Sequence, residues 1–189
     1  MKKEPYRDHV KKVVASIQPF DELESFHQKH VLDWIESGAP LCRTIKADIP
    51  PKHLVCYFLL VDQKKERLLL TDHKKSGLWL PPGGHVDQGE HPRDTVLREM
   101  QEELRCQLEP LLEEPLFLSM VETTGYVNKH EDVSLWYVFE ADSTVAIDFD
   151  PREFHQVKWY PFDALPIGQT DPHMERFSKK LSHSLCRVV

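Results

Sequence analysis

GGHVDQGEHPRDTVLREMQEELRC, residues 83–106, is the stretch on which the reading of the whole chain turns. It opens as a glycine-rich loop and continues as an acidic helix. Pro92 suits the first helical position, where a missing N–H costs nothing. Asp94 follows in the first turn, where negative charge suits the helix dipole. From there to Leu104 the residues are mostly good helix formers, with no Gly or Pro. Val96, Leu97, Met100 and Leu104 form an apolar stripe at helical spacing. Glu99, Glu102 and Glu103 stand at i, i+3 and i+4, so their carboxylates share a different face. Their repulsion is on the order of a few tenths of a kcal/mol per pair. Such a cluster of oxygen ligands is what a hard cation, Mg²⁺ or Mn²⁺, needs.

The chain has 189 residues, 40% hydrophobic and 29% charged, which fits one soluble globular domain, or one domain with an appendage. A net charge of −7 argues against a general binder of nucleic-acid polymers, which would need a basic face. Met1-Lys2-Lys3-Glu4-Pro5 leads into no apolar core, so no secretory signal is expected. The longest apolar run, Leu54 to Val61, is far too short to span a bilayer. The expected location is therefore cytoplasmic, with no membrane partner. Cys42, Cys56, Cys106 and Cys186 are scattered, with no CxxC pair. A zinc or redox motif is not expected from them, and they read as reduced thiols, two or three of them buried.

Residues 1–50 read as an N-terminal helical extension and residues 51–189 as the main domain. Val10, Val13, Val14 and Ile17 make one helical stripe, ending near Pro19. Asp21 with Glu24 forms a capping box for a second helix, whose expected buried side carries Leu23, Phe26, Val31, Trp34 and Ile35. His27 and His30 sit on it at i and i+3, but no third metal ligand is in view, so they read as ordinary helix histidines. Strands follow: 53–61 as a buried run, 67–71, 78–80, 116–123 with a turn at Gly125, 133–141 and 157–160. Residues 161–165 look like a helical turn. A last helix starts with Asp171 as N-cap and Pro172 at N1, and buries Met174, Phe177, Leu181 and Leu185.

Gly84 to Cys106 resembles the Nudix box of MutT-like Nudix hydrolases, G-x5-E-x7-R-E-U-x-E-E-x-G-U, with U aliphatic. Gly84, Glu90, Arg98, Glu99, Met100, Glu102 and Glu103 fill their positions. Arg105 stands where the family has Gly, and Cys106 where it has an aliphatic residue, both at the helix exit. Arg there is favourable to the dipole. Trp79-Leu80-Pro81-Pro82 before the box and Trp159 late in the chain are similar to the family's flanks. The resemblance implies an α+β fold of the Nudix type, an α/β/α sandwich with a mixed sheet. It implies a hydrolase that cleaves a pyrophosphate bond in a nucleoside diphosphate linked to another moiety, using Mg²⁺ or Mn²⁺. Glu99, Glu102 and Glu103, with the carbonyl of Gly84, would hold the metal. Glu99 or Glu102 would be the general base, and Glu90 with Arg98 a structural ion pair.

Further substrate contacts are sought at Trp79, which could stack on a base but suits a core role better. His85 and His91 flank the loop, and His73, Lys74 and Lys75 form a basic loop able to steer an anion. Asn128, Lys129, His130, Glu131 and Asp132 form a polar loop, in which Glu131 or Asp132 would add a metal ligand or a base. The alternative function is a non-catalytic Nudix module that binds a nucleotide as sensor or scaffold; the full set of box acids speaks against it. Signatures of an isomerase on the same fold are not apparent. The expected partner is a small nucleotide. The helical extension has three open roles: padding the core, dimerising as a homodimer, or capping the pocket.

Overall fold

The fold is that of a computed structural model, which describes residues 5–44, 49–124 and 129–185. The expected turn at Gly125, Asn128 of the polar loop, and Cys186 lie outside the described residues. Seven strands form one mixed sheet: β1 (Lys52–Asp62), β2 (Arg67–His73), β3 (Leu78–Leu80), β4 (Gly83–His85), β5 (Phe117–Thr124), β6 (Lys129–Glu140) and β7 (Phe154–Pro161). The strand order is β3-β2-β1-β6-β5, with β4 also on β1 and β7 also on β2. β1 and β6 run parallel, from Lys52 opposite Glu131 to Val61 opposite Glu140. The other pairings are antiparallel.

The continuous apolar run of β1 has a simple cause, since both sheet faces are covered by helices and the side chains alternate between them. Leu54, Cys56, Phe58 and Leu60 of β1 share one core with Val133, Leu135 and Tyr137 of β6. That core also takes Val10 and Val14 of α1 (Pro5–Ser16), Val31 and Ile35 of α2 (Glu22–Glu36), and Val96, Met100 and Leu104 of α3 (Pro92–Leu104). Leu59 and Val61 point the other way, with Trp136 and Val138, onto Met174, Phe177 and Leu181 of α4 (Met174–Leu185). The result is the helix–sheet–helix α+β sandwich with N-terminal helices.

Five local expectations are corrected. Gly83 to His85, read as loop, is strand β4, paired with Val55, Cys56 and Tyr57 of β1. Glycine carries no strand propensity, but here only glycine fits: a Cβ on Gly83 would lie 2.1 Å from the Cys56 carbonyl oxygen, at φ +148°. Leu97 is 39% exposed and leaves the apolar stripe. On α2 the buried face is Glu24, His27, Val31 and Ile35, while Leu23 and Phe26 are exposed. The reason is polar: Glu24 Oε1 accepts from the Leu118 N–H at 3.1 Å and from Lys180 Nζ at 2.8 Å, which turns that face inward. α4 begins at Met174, because Asp171 Oδ1 accepts from His173 N at 2.8 Å and holds Pro172 and His173 in a turn ahead of it. Residues 161–165 close with a simple turn, Ala164 N donating to Pro161 O, since Pro161 still belongs to β7.

Cys42 and Cys56 are buried free thiols and Cys106 is half-buried. No described helix is long and apolar enough to cross a membrane.

Candidate active site

α3 is positioned at both ends by side chains of its own segment. His91 is its N-cap, with Nδ1 accepting from Arg93 N at 3.0 Å, and Pro92 follows at the first position. His91 is thereby a capping residue, and its ring stacks edge-on against His9 of α1 at 3.8 Å. Glu90 and Arg98 form a two-pronged pair, Nε to Oε1 and NH2 to Oε2, both 2.9 Å. Thr95 Oγ1 also donates to Glu90, at 2.7 Å, and Arg98 NH2 reaches the His85 carbonyl at 3.2 Å. One guanidinium therefore joins the loop, strand β4 and the helix.

The three acids of the helix end face the same pocket from different depths. Glu103 is buried, its Oε2 accepting from Gly83 N at 2.8 Å. Glu99 is shallower and takes Arg98 NH1 at 2.6 Å. Glu102 is outermost, with 61% of its side chain exposed and Arg98 no closer than 3.6 Å. Gly84 lies against Glu99: a Cβ there would stand 2.1 Å from Glu99 Oε1. Burial, and then the charge of Glu99, push the Glu103 carboxyl up to about 9. Burial also raises Glu99, against the pull of Arg98. Glu90 is driven the opposite way, to about 2, chiefly by its hydrogen bonds with Arg98. Metal-free, Glu103 keeps its proton at neutral pH. A buried acid of this kind, beside two further carboxylates, is a donor set that fits a hard divalent cation.

The pocket has a volume of about 590 Å³. It is also lined by Tyr57, His85 and Asp132, and by Arg43, His73, Lys75 and Arg152, the last with Asp150 and Glu153 close to it in sequence. Carboxylates and cations around one pocket suit a ligand that is anionic and metal-bridged. Of the residues marked from sequence, Gly84, His85, Arg98, Glu99, Glu102 and Glu103 come together here. Trp79 does not: it packs edge-on against Tyr160 at 5.4 Å, and its backbone N–H bonds Gln169 O. Glu131 is paired with Lys52 at 2.8 Å away from the pocket, whereas Asp132 lines it, as strand alternation requires. Lys129 starts β6, and its side chain lies outside the described residues. Glu90 lies behind the wall, on Arg98.

Sequence reading missed Arg43 and Arg152. Each sits in an irregular segment far from the box in sequence, and no local spacing marks them. His73 and Lys75 carried a signal, as a basic loop, while Lys74 Nζ turns to the Pro151 carbonyl.

The NUDIX domain, as a family description, matches residues 51–181. The chain belongs to the Nudix family. "Uncharacterized Nudix hydrolase YvcI" of Bacillus subtilis is 27% identical over 123 residues, 62% of this chain and 75% of that protein. "NAD-capped RNA hydrolase NudC" of Pectobacterium atrosepticum is 28% identical over 131 residues, 68% of this chain but 46% of that protein. Among solved structures, a MutT NUDIX hydrolase from Burkholderia pseudomallei is 28% identical with a TM-score of 0.52, covering 67% of this chain and 95% of that one. The Nudix chain is a pyrophosphohydrolase of this MutT-like kind. Enzymes of the Nudix family generally use a divalent metal.

Proposed function

We propose that this Nudix protein hydrolyses the pyrophosphate bond of a nucleoside diphosphate linked to another moiety, in a Mg²⁺- or Mn²⁺-dependent reaction. The observation that carries the reading is the placement of three carboxylates, buried Glu103 beside Glu99 and Glu102, at one pocket. Glu99, Glu102 and Glu103, with the Gly84 carbonyl, would hold the ion. When bound, it would supply positive charge to the phosphoryl oxygens and lower the pKa of a nearby water. The chain's own groups do the rest. Arg43 and Lys75 attract the diphosphate, while Arg152 is held by Asp150 at the same pocket. Glu90 and Arg98 keep β4 and α3 in register, so that Arg98 is a positioning residue. Glu102 takes the proton of the attacking water. It is preferred over Glu99 because Glu99 already holds Arg98 at 2.6 Å, while Glu102 is open to solvent. Deprotonation of water and its attack on phosphorus yield two phosphorylated products.

The test is a panel of nucleotide substrates: triphosphates, dinucleoside polyphosphates, sugar nucleotides and nucleotide cofactors. At least one should be hydrolysed with Mg²⁺ or Mn²⁺ and none in excess EDTA. Glu102→Gln should lower kcat about 10²–10⁴-fold with little change in KM, the range for a lost general base. Full activity in EDTA, or a Glu102→Gln enzyme equal to the parent, would refute the mechanism.

A further inference from the structure

The same pocket holds, around Asp132, a second cluster that the hydrolytic reading leaves unused. The parallel pairing of β1 and β6 sets His53 beside Asp132, and β4 brings His85 alongside. His130 lies two residues before Asp132, on the same face of β6. His53 is fully buried. Its Nε2 lies 3.0 Å from Asp132 Oδ1 and 3.1 Å from His85 Nε2, and His130 Nε2 lies 3.5 Å from Asp132 Oδ2. One ligand atom each from His53, His130 and Asp132 fall within 4.8 Å of one another. Bonds of about 2.0–2.1 Å in a tetrahedron place ligand atoms about 3.3 Å apart. The two histidine–aspartate contacts of the trio, 3.0 and 3.5 Å, bracket that spacing.

The tautomer of His53 points the same way. Its Nδ1 is 2.9 Å from the Pro50 carbonyl, which can only accept. Nδ1 therefore carries the proton, and Nε2 turns its lone pair toward a carboxylate oxygen. Two acceptors at that distance need a cation between them, either a second proton or a metal. A metal-ligating histidine characteristically donates its other N–H to a carbonyl in this way. Imidazoles with one carboxylate suit zinc-type ions, unlike the all-oxygen set on α3 that suits Mg²⁺.

We propose that His53, His130 and Asp132 bind one zinc-class divalent ion in the inner wall of the pocket, separate from the glutamates of α3. His85 is the nearest donor for the fourth position. Because His85 and Asp132 line the pocket while His53 and His130 lie behind it, the ion ties β1, β4 and β6 together at the substrate wall. No cysteine takes part, which is why cysteine spacing gives no hint of it.

The test uses the full-length protein, stripped with chelator and returned to metal-free buffer with excess Mg²⁺ to fill the glutamate set. Titration with Co²⁺ should give one equivalent of intense visible absorption, typical of tetrahedral ligation, which Zn²⁺ displaces. Asp132→Asn and His130→Gln should lose the band and weaken Zn²⁺ binding at least 10-fold, while Glu102→Gln keeps both. That contrast separates this site from the hydrolytic one, whose failure would leave the band untouched. If neither variant folds by circular dichroism, imidazole ¹⁵N spectra of the parent decide, with Nε2 of His53 and His130 shifting on Zn²⁺. No stoichiometric band, a band that survives in folded His130→Gln, or shifts confined to other histidines would overturn the proposal in favour of a protonated His53 paired with Asp132.

Discussion

Glu103 concentrates the electrostatics of the glutamate cluster in one carboxyl. Its pKa rises from 4.5 to about 9, first through burial and then through Glu99. In the metal-free protein the folded state therefore holds a proton that the unfolded chain releases near pH 4.5. Between that value and about 9 the native state binds more protons, so stability falls as pH rises. For this group alone the slope is at most about 1.4 kcal/mol per pH unit. Glu103→Gln keeps an acceptor for Gly83 N–H without the titration. The variant should match the parent near pH 5, exceed it in metal-free stability at pH 8, and gain less from added Mg²⁺. Urea denaturation at the two pH values, with and without Mg²⁺, measures this. Parallel pH profiles for parent and variant would show that Glu103 does not hold the proton. Glu90 has the opposite sign. Arg98 pulls it to about 2, so its contribution is present above about pH 4.5 and lost as pH falls toward 2. Glu90→Gln should cost about 2 kcal/mol at pH 7, the scale of a charge-assisted hydrogen bond, and the deficit should vanish at acid pH.

At the scale of elements, the exit of α3 is where this chain departs from the family pattern and where the departure has a cost. Arg105 adopts φ 49° and ψ 29°, the left-handed conformation that glycine accepts without strain. A side chain there costs about 1–2 kcal/mol, offset in part by an exposed pair between Arg105 and Asp148 at 2.9 Å. The favourable dipole placement read from sequence is thus the smaller effect. Arg105→Gly should raise the unfolding free energy by up to about 1 kcal/mol, seen as a higher urea midpoint with unchanged slope, and leave catalysis unchanged. A lowered midpoint would mean that the Asp148 pair outweighs the strain. This exit also shows what was legible. The helix, its cap region and the three acids could be read because helical spacing and cation chemistry are local properties of one short stretch. β1 and β6 could be read as buried strands because each is apolar on both faces. β4 could not, since Gly83 is chosen for what it omits, and the Cys56 carbonyl that demands the omission is remote in sequence. The buried face of α2 was misjudged for a related reason. Leu23 and Phe26 look like core, but the partners of Glu24 lie far along the chain, on β5 and α4. The cations Arg43 and Arg152 carry no spacing signal, and only the fold gathers them at the pocket.

For the whole molecule, the N-terminal helices are fastened to both layers. Arg176 of α4 grips Asp21 at the start of α2, and buried Lys180 meets buried Glu24 at 2.8 Å. On the other side, Tyr6 OH lies 3.1 Å from Cys42 Sγ, and His9 stacks on the cap of α3. α1 also fills the core shared with β1 and α3. Among the roles left open by sequence, these contacts favour padding the core and bracing the box loop, so removing residues up to Gly38 should give an aggregating protein rather than a folded one with altered substrate choice. A deletion is a blunt test, and Glu24→Ala is a sharper one. It strands Lys180 without a counter-charge and leaves the Leu118 N–H without its acceptor, at a cost of about 3–5 kcal/mol. That is much of the stability of a typical domain. Lys180→Met alone should also be costly, because it leaves the Glu24 charge buried with fewer donors. The two losses share one interaction, so Glu24→Ala with Lys180→Met should cost less than the sum of the two single losses, and a double-mutant cycle read by urea denaturation measures the coupling. A coupling near zero would mean that α2 is held by its apolar face alone. A coupling of about 1 kcal/mol or more would make the extension an integral layer of the fold that carries the active site.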